Sequence, residues 1–208
     1  MTDSGVPATF FGLVRHGTTE ANLERRIQGQ ADSPLAAESV EKARQWGRML
    51  APMGFSRIIA SDLGRARRTA DLINETLDLD LVEDPRLREL DWGEWVGMTV
   101  EEIRSGNPER IARLEALGWD FAPPGGESRR NHWLRASAAL EDAARRTPGS
   151  TILVVCHNGT LKALVYWLSG RRFLPGEPPL IGRRRHLHRI RHEAGGLVLE
   201  QANALPLE

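Results

Sequence analysis

FFGLVRHGTTEANL, residues 10–23, opens with an apolar run, Phe10–Val14, that stops at Arg15-His16-Gly17. Five such residues ending in a polar turn read as a buried strand. TILVVCHNGTLKAL, residues 151–164, repeats the arrangement, with Thr151–Cys156 followed by His157-Asn158-Gly159. Arg57–Ala60 is a third strand, ending in SDLGRARRTA with Arg65 at the start of a helix. Leu197–Ala202 is a fourth, and Arg185–Arg191 a weaker fifth. Between them run amphipathic helices. Val40, Ala43, Gly47 and Leu50 share one helical face, as do Ala66, Ala70, Ile73 and Leu77. Trp133, Ala136, Leu140 and Ala144 line a third, and Leu161, Val165 and Leu168 a fourth. Strands alternating with such helices predict an α/β sandwich, three layers α/β/α, on a mixed, mostly parallel sheet. Residues 84–127 break the alternation and are read as a cap-like insertion, with short helices near Thr99–Ser105 and Pro108–Leu117. The stretch APPGGES, residues 122–128, closes it.

Composition narrows the function. The chain has 208 residues, 40% of them hydrophobic, with 28 basic and 28 acidic side chains. That length holds one domain with a substantial core. A net charge of zero argues against nucleic-acid or acidic-membrane binding driven by bulk charge. One cysteine, Cys156, excludes an intrachain disulfide framework and fits a reducing compartment. No apolar run is long enough to span a bilayer, and the opening MTDSGVPAT lacks the pattern of a secretory leader, so the expected location is cytoplasmic. The final Leu207-Glu208 has the look of a cloning remnant.

Ligands of open α/β sheets bind beyond the carboxyl ends of the strands. Arg15, His16, Arg65 and His157 all follow strands and so gather on one face. Gly17, Gly64 and Gly159 accompany them, as expected for tight turns and close backbone approach. Helices beginning after Gly64 and Asn158 are expected to aim free N–H groups at the same place. A neutral protein with such a pocket is built for a small dianion, phosphate first, with arginine forks for bidentate contact.

These residues resemble the histidine phosphatase superfamily, with its phosphoglycerate-mutase-like fold. LVRHGTTEAN carries the resemblance, joined in order by QGQADSPL (28–35), SDLGRARRTA (61–70), LRELDWGEWVGMT (87–99), PPGGES (123–128) and VVCHNGTLKAL (154–164). The resemblance covers roughly residues 10–169 and implies one histidine-phosphatase domain over 1–208. It implies a phosphohistidine mechanism without metal or organic cofactor. His16 matches the nucleophile. Arg15, Arg65 and His157 match the groups holding the phosphoryl oxygens, and Glu89 the acid that protonates the leaving group. Asn22, Gln28 and Gly29 match positions near the phosphate or substrate oxygen, and Arg135 a structural arginine. Asn158 stands where the family usually has glycine and keeps its backbone N–H for phosphate. LAAES, residues 35–39, lacks the family's threonine at a helix start. The tail after Gly170 matches poorly and contributes no expected site residue.

The residue chemistry supports the same roles. A neutral imidazole is a competent nucleophile when one ring nitrogen is free and the other oriented. Arg15, Arg65 and a protonated His157 would offset phosphoryl charge. Trp92 and Trp95 are expected to desolvate the Glu89 carboxyl, with Glu83, Asp91 and Glu94 as competitors for its role. Trp92, Trp95, Trp119 and Phe121 otherwise read as packing residues, and Asn22 as a helix cap. Cys156-x5-Lys162 resembles a thiolate phosphatase loop but lacks the closing arginine fork. The basic run Arg183–His192 reads as a solvated face rather than a second anion site. The expected activity is phosphoric monoester hydrolysis of the histidine acid phosphatase/phosphoglycerate-mutase-like type, on a small phosphorylated metabolite. The alternatives are cofactor-dependent phosphoglycerate-mutase phosphotransfer and a non-catalytic phosphate-binding module. No macromolecular partner is expected beyond a second copy of the chain, a homodimer being one option.

Overall fold

The computed structural model describes residues 7–182 and 184–208. The strands are β1 (Thr9–Arg15), β2 (Arg57–Ala60), β3 (Leu81–Glu83), β4 (Thr151–Cys156), β5 (His186–Glu193) and β6 (Gly196–Pro206). The sheet order is β3-β2-β4-β1-β5-β6. β1, β2, β3 and β4 pair in parallel, and β5 and β6 add antiparallel to the β1 side. The helices are α1 (Glu20–Leu23), α2 (Ala37–Leu50), α3 (Gly64–Leu77), α4 (Val100–Gly106), α5 (Pro108–Ala116), α6 (Arg129–Arg146) and α7 (Asn158–Leu168).

The two central strands are apolar on both faces because both faces are covered. Phe11, Leu13, Ile152, Val154 and Cys156 join one core with residues of α6 and α7. Val14, Leu153 and Val155 join the other with residues of α2 and α3. Period-2 alternation thus divides each strand between the layers. The helical faces read from sequence are the buried ones, with Trp46 added on α2 and Leu72 on α3. Leu13, Ile58, Leu153 and Leu164 are fully inaccessible.

The sheet has one strand the sequence did not suggest. β3 is three residues long, with Val82 and Glu83 exposed, and pairs only with β2. An edge strand so short has no buried face and therefore no pattern. The weak strand at 185–191 is β5, and β6 runs beyond 197–202 in both directions. Ala36 stands at the N-cap of α2 and gives no side-chain cap, as LAAES implies. Residues 84–127 hold α4, α5 and three single turns of 3-10 helix. They pack against the loop after α1 through Ile27 N–H to Met98 O (2.9 Å) and Gly97 N–H to Ile27 O (2.8 Å). Among the described residues, no helix is long and apolar enough to cross a membrane.

Candidate active site

β1 and β4 are adjacent and parallel, with Arg15 in register with Cys156. The residues that follow each must therefore lie side by side. His16 and His157 do, their ring centroids 5.2 Å apart. Pairing continues one residue past the strand, with His16 N–H donating to Cys156 O at 2.9 Å, which fixes the histidine backbone. His16 is buried, and its Nδ1 lies 2.6 Å from the carbonyl of Gly17. A carbonyl only accepts, so Nδ1 carries the proton and Nε2 keeps its lone pair. Burial, then Arg15 and Arg65, hold the His16 pKa well below the ordinary imidazole range. His16 is thus neutral, oriented and unprotonated at the nitrogen that must attack.

His157 is fully buried and is also held well below its usual pKa, by burial, then His16 and Arg65. The expected protonated His157 is therefore corrected: the resting site holds a neutral ring. Its Nε2 lies 2.8 Å from Ser61 Oγ, and Nδ1 is buried without a partner. Ser61 Oγ also accepts from Leu63 N–H at 3.3 Å. With the Ser61 proton turned to Nε2, Nδ1–H of His157 is a free donor inside the site.

The two arginines differ. Arg65 is buried at the start of α3 and is tied at both terminal nitrogens: Nη1 donates to Ala31 O (2.7 Å) and Asp32 Oδ1 (3.2 Å), Nη2 to Gly29 O (2.7 Å). Only Nε is buried and unpaired. Arg15 has no hydrogen-bond acceptor among the described residues, and its Nε is buried. Burial, then the neighbouring Arg185, lowers its pKa to about 10. A desolvated cation beside a second cation, with Glu89 and Glu208 near but no carboxylate in ion-pair contact among the described residues, is costly unless an anion completes it.

Glu89 reaches the site from the cap insertion. Its Oε1 accepts from Leu90 N–H at 2.8 Å and its Oε2 from Gly159 N–H at 3.0 Å. Arg135 holds the peptide behind it, donating to Arg86 O, Arg88 O and Glu89 O at 2.7, 2.7 and 2.9 Å while pairing with Glu127.

The expected backbone donors at both helix N-termini are partly engaged within the protein. The N-terminus of α3 is not free, because Asp32 Oδ1 accepts from Arg65 N–H at 3.2 Å. At α7 the Gly159 N–H already belongs to Glu89. The glycines also work differently from the turns expected of them. Gly17, Gly64 and Gly159 are absent from the positive-φ residues. Instead, a Cβ on Gly64 would collide with Asp32 Oδ2, and one on Gly159 with Glu89 Oε1. The missing side chains make room for carboxylates.

The remaining expected residues divide. Gly29, at φ +55°, offers its carbonyl to Arg65 and so aims that guanidinium. Gln28 Oε1 is buried and unpaired. Asn22 closes a capping box with Thr19 at the start of α1, Oδ1 accepting from Thr19 N–H at 3.2 Å. Asn158 is the first residue of α7 and lines the cavity next to Glu89. Trp92 lines that cavity too, whereas Trp95 packs on Trp92 and Phe121 at 6.2 and 6.1 Å between centroids. Cys156 is inaccessible in the core, and burial pushes its thiol pKa up, the opposite of a reactive thiolate.

The tail supplies a neighbour that sequence reading left out. Arg185 Nε donates to His16 O at 2.9 Å, and its Nη1 pairs with Glu208 at 3.2 Å. Leu207 is buried, its carbonyl accepting from Trp46 Nε1 at 2.9 Å. No motif surrounds Arg185; only the antiparallel pairing of β5 on β1 brings it in. Of the basic run 183–192, Arg183 lies outside the described residues, while Arg189 pairs with Glu200 and Arg191 with Glu193.

Comparison with known proteins agrees with this geometry. The profile described as histidine phosphatase superfamily (branch 1) matches residues 11–204. The probable phosphoglycerate mutase GpmB of Enterobacter sp. (strain 638) is 39% identical over 197 residues, covering 91% of this chain and 90% of that one. Among solved structures, Bacillus stearothermophilus YhfR superposes with a TM-score of 0.84 at 30% identity, covering 96% of this chain and 98% of that one. A mycobacterial glucosyl-3-phosphoglycerate phosphatase complexed with VO3 gives 0.79 at 28% identity, covering 94% and 98%. With its paired histidines, its fold and these likenesses, the chain belongs to the histidine phosphatase superfamily, branch 1.

Proposed function

We propose that the protein is a phosphomonoesterase that works through a phosphohistidine at His16. The observation that carries the reading is the His16 imidazole: buried, neutral, pinned through Nδ1–H to Gly17 O, and beside an unpaired Arg15. In the first step Nε2 attacks phosphorus and the ester P–O bond breaks. Arg15, the free Nε–H of Arg65 and Nδ1–H of His157 receive the non-bridging oxygens. Glu89 gives its proton to the departing alkoxide. In the second step Glu89 takes a proton from water, the water oxygen attacks phosphorus, and the His16–phosphorus bond breaks. Phosphate leaves and the site is restored.

Hydrolysis is favoured over mutase transfer in this reading because the cavity beside Glu89 shares Arg129, Lys162 and Phe173 with a larger neighbouring one, which leaves room for water near the acid. The acidic and aromatic LDWGEWVGM after Glu89 also fits a phosphatase better than a site made for a sugar acid alone. The solved relatives include a protein named a phosphatase. The name of the curated relative, a probable phosphoglycerate mutase, keeps phosphotransfer as the second reading. A panel of phosphomonoesters assayed for phosphate release, with 3-phosphoglycerate isomerisation followed in parallel, decides. Phosphate release, lost by about 10³-fold or more in His16→Ala, is the expected result. Isomerisation outrunning release would make the protein a mutase. Neither activity with any ester would reduce it to a binding module.

A further inference from the structure

Lys162 has no role in the chemistry above, yet it sits one turn into α7, beyond Glu89. It is one of two lysines in the chain. The other, Lys42, is also half-buried but pairs with Glu38 at 3.5 Å. Lys162 is half-buried and has no ion pair or hydrogen-bond acceptor among the described residues. Burial, with Arg129 and Arg15 nearby, pulls its pKa below the usual lysine value, while Glu89 opposes the shift.

Its surroundings form a built cleft. An inner cavity of about 150 Å³ is bounded by Glu89, Trp92, Asn158, Arg129, Lys162 and Phe173. An outer one of about 390 Å³ continues past the same Arg129, Lys162 and Phe173 to Tyr166, Leu174 and Glu177. Arg129 is clamped between the rings of Phe121 and Phe173, at 4.2 and 4.1 Å from their centroids, and spends Nη1 on Gly118 O and Phe173 O. It is rigid and cannot swing to a distant ligand. Lys162 has three donors on a flexible stem and none of them used. Outer-wall Glu115 is engaged by Arg104 at 3.2 Å. Glu177 lies more than 4 Å from Lys162, since no ion pair joins them, and its Oε2 is buried without a partner. Among the described residues, Glu89 is the one carboxylate lining the inner cavity, and both its oxygens are engaged by backbone N–H groups, so two cations stand there against a single anion.

We propose that the substrate's leaving group carries its own negative charge, a carboxylate or second phosphate close to the ester oxygen, and that Lys162 receives it. This rests on the phosphomonoesterase reading, which places Glu89 at the leaving oxygen; whatever the oxygen belongs to must then extend toward Lys162. The apolar edges of Trp92 and Phe173 hold the carbon frame, and the ammonium selects the acid. Lys162 is a specificity-determining residue, distinct from the groups that hold the transferred phosphoryl.

The test pairs 3-phosphoglycerate with glycerol 1-phosphate, which differ chiefly by carboxylate against hydroxymethyl; fructose 1,6-bisphosphate against fructose 6-phosphate asks the same of a second phosphate. The wild-type protein should prefer the charged member of at least one pair by about 10–100-fold in kcat/KM. Lys162→Met should erase that preference, mainly through KM, and Lys162→Arg should restore part of it. Calorimetric binding of the same esters to His16→Ala measures the preference without turnover. A charge preference in binding with no hydrolysis in wild type would uphold Lys162 and overturn the phosphatase reading. Hydrolysis with equal preference for charged and neutral esters would do the reverse. Equal losses on all four esters in Lys162→Met would overturn the proposal and make Lys162 a structural residue.

Discussion

Arg15 and Arg65 show how two residues of one type divide a task. Arg65 is held by three carbonyl or carboxylate bonds and brings one fixed donor, Nε–H. Arg15 has no acceptor and brings its fork intact. Both were legible as candidates from their place after strands; which one is free was not, because Gly29 and Ala31 lie more than thirty residues from Arg65 in sequence. Glu89 can be tested by its leaving-group dependence. As the proton donor it matters most when the departing oxygen is strongly basic. Glu89→Gln should therefore cost about 10²–10⁴-fold on alkyl phosphates. p-Nitrophenyl phosphate leaves as a stable phenolate, so its first step should be nearly spared while the water step slows. Rapid mixing should then reveal a burst of nitrophenol in the variant larger than in wild type. Equal losses for both classes before steady state would mean that Glu89 positions the phosphoryl group and moves no proton.

Elements bring these side chains together through register. The alignment of Arg15 with Cys156 sets His16 beside His157, and this followed from two apolar runs and parallel pairing. β3 and Arg185 did not follow, the first for want of a buried face, the second because it depends on which strand pairs with β1. Helix N-termini were placed correctly, but what they bind was not legible, since Asp32 and Glu89 arrive from distant loops. The N-terminal turn of α7 offers a test in which stability and activity part company. Gly159→Ala should favour the helix by roughly 0.5–1 kcal/mol. Its new Cβ would meet Glu89 Oε1 and force the carboxylate off the Gly159 N–H. Turnover of alkyl phosphates should fall toward that of Glu89→Gln, about 10²-fold or more, with a urea midpoint close to wild type. Full activity in Gly159→Ala would show that Glu89 acts from some other position.

Packing two imidazoles and two arginines under one sheet end has consequences for the folded molecule. His16, His132 and His157 are buried neutral, with pKa values well below the usual 6.5, burial being the first cause in each. His188 follows, lowered to about 4 by burial and then His186. Protons therefore bind the unfolded chain in preference, so stability holds above pH 6.5 and falls as the pH drops below it. Each such histidine removes about 1.4 kcal/mol per pH unit until its folded pKa is reached. Urea unfolding at pH 7.5 and 5.5 should show a marked loss at the lower pH, and His132→Gln should flatten the slope; equal stability at both would mean that the rings are charged in the fold. Phosphate or vanadate should offset part of the loss by supplying the counter-charge that Arg15 lacks. The central claim concerns one bond, between His16 Nε2 and phosphorus. Turnover of a labelled phosphomonoester should be stopped with alkali, which preserves phosphohistidine, and the label located by peptide mass spectrometry. The mass of a phosphoryl group on His16, absent from His16→Ala and, with p-nitrophenyl phosphate as the ester, enriched in Glu89→Gln, is the predicted result. Label on Cys156 or another side chain, or hydrolysis with no labelled protein at any time point, would contradict it.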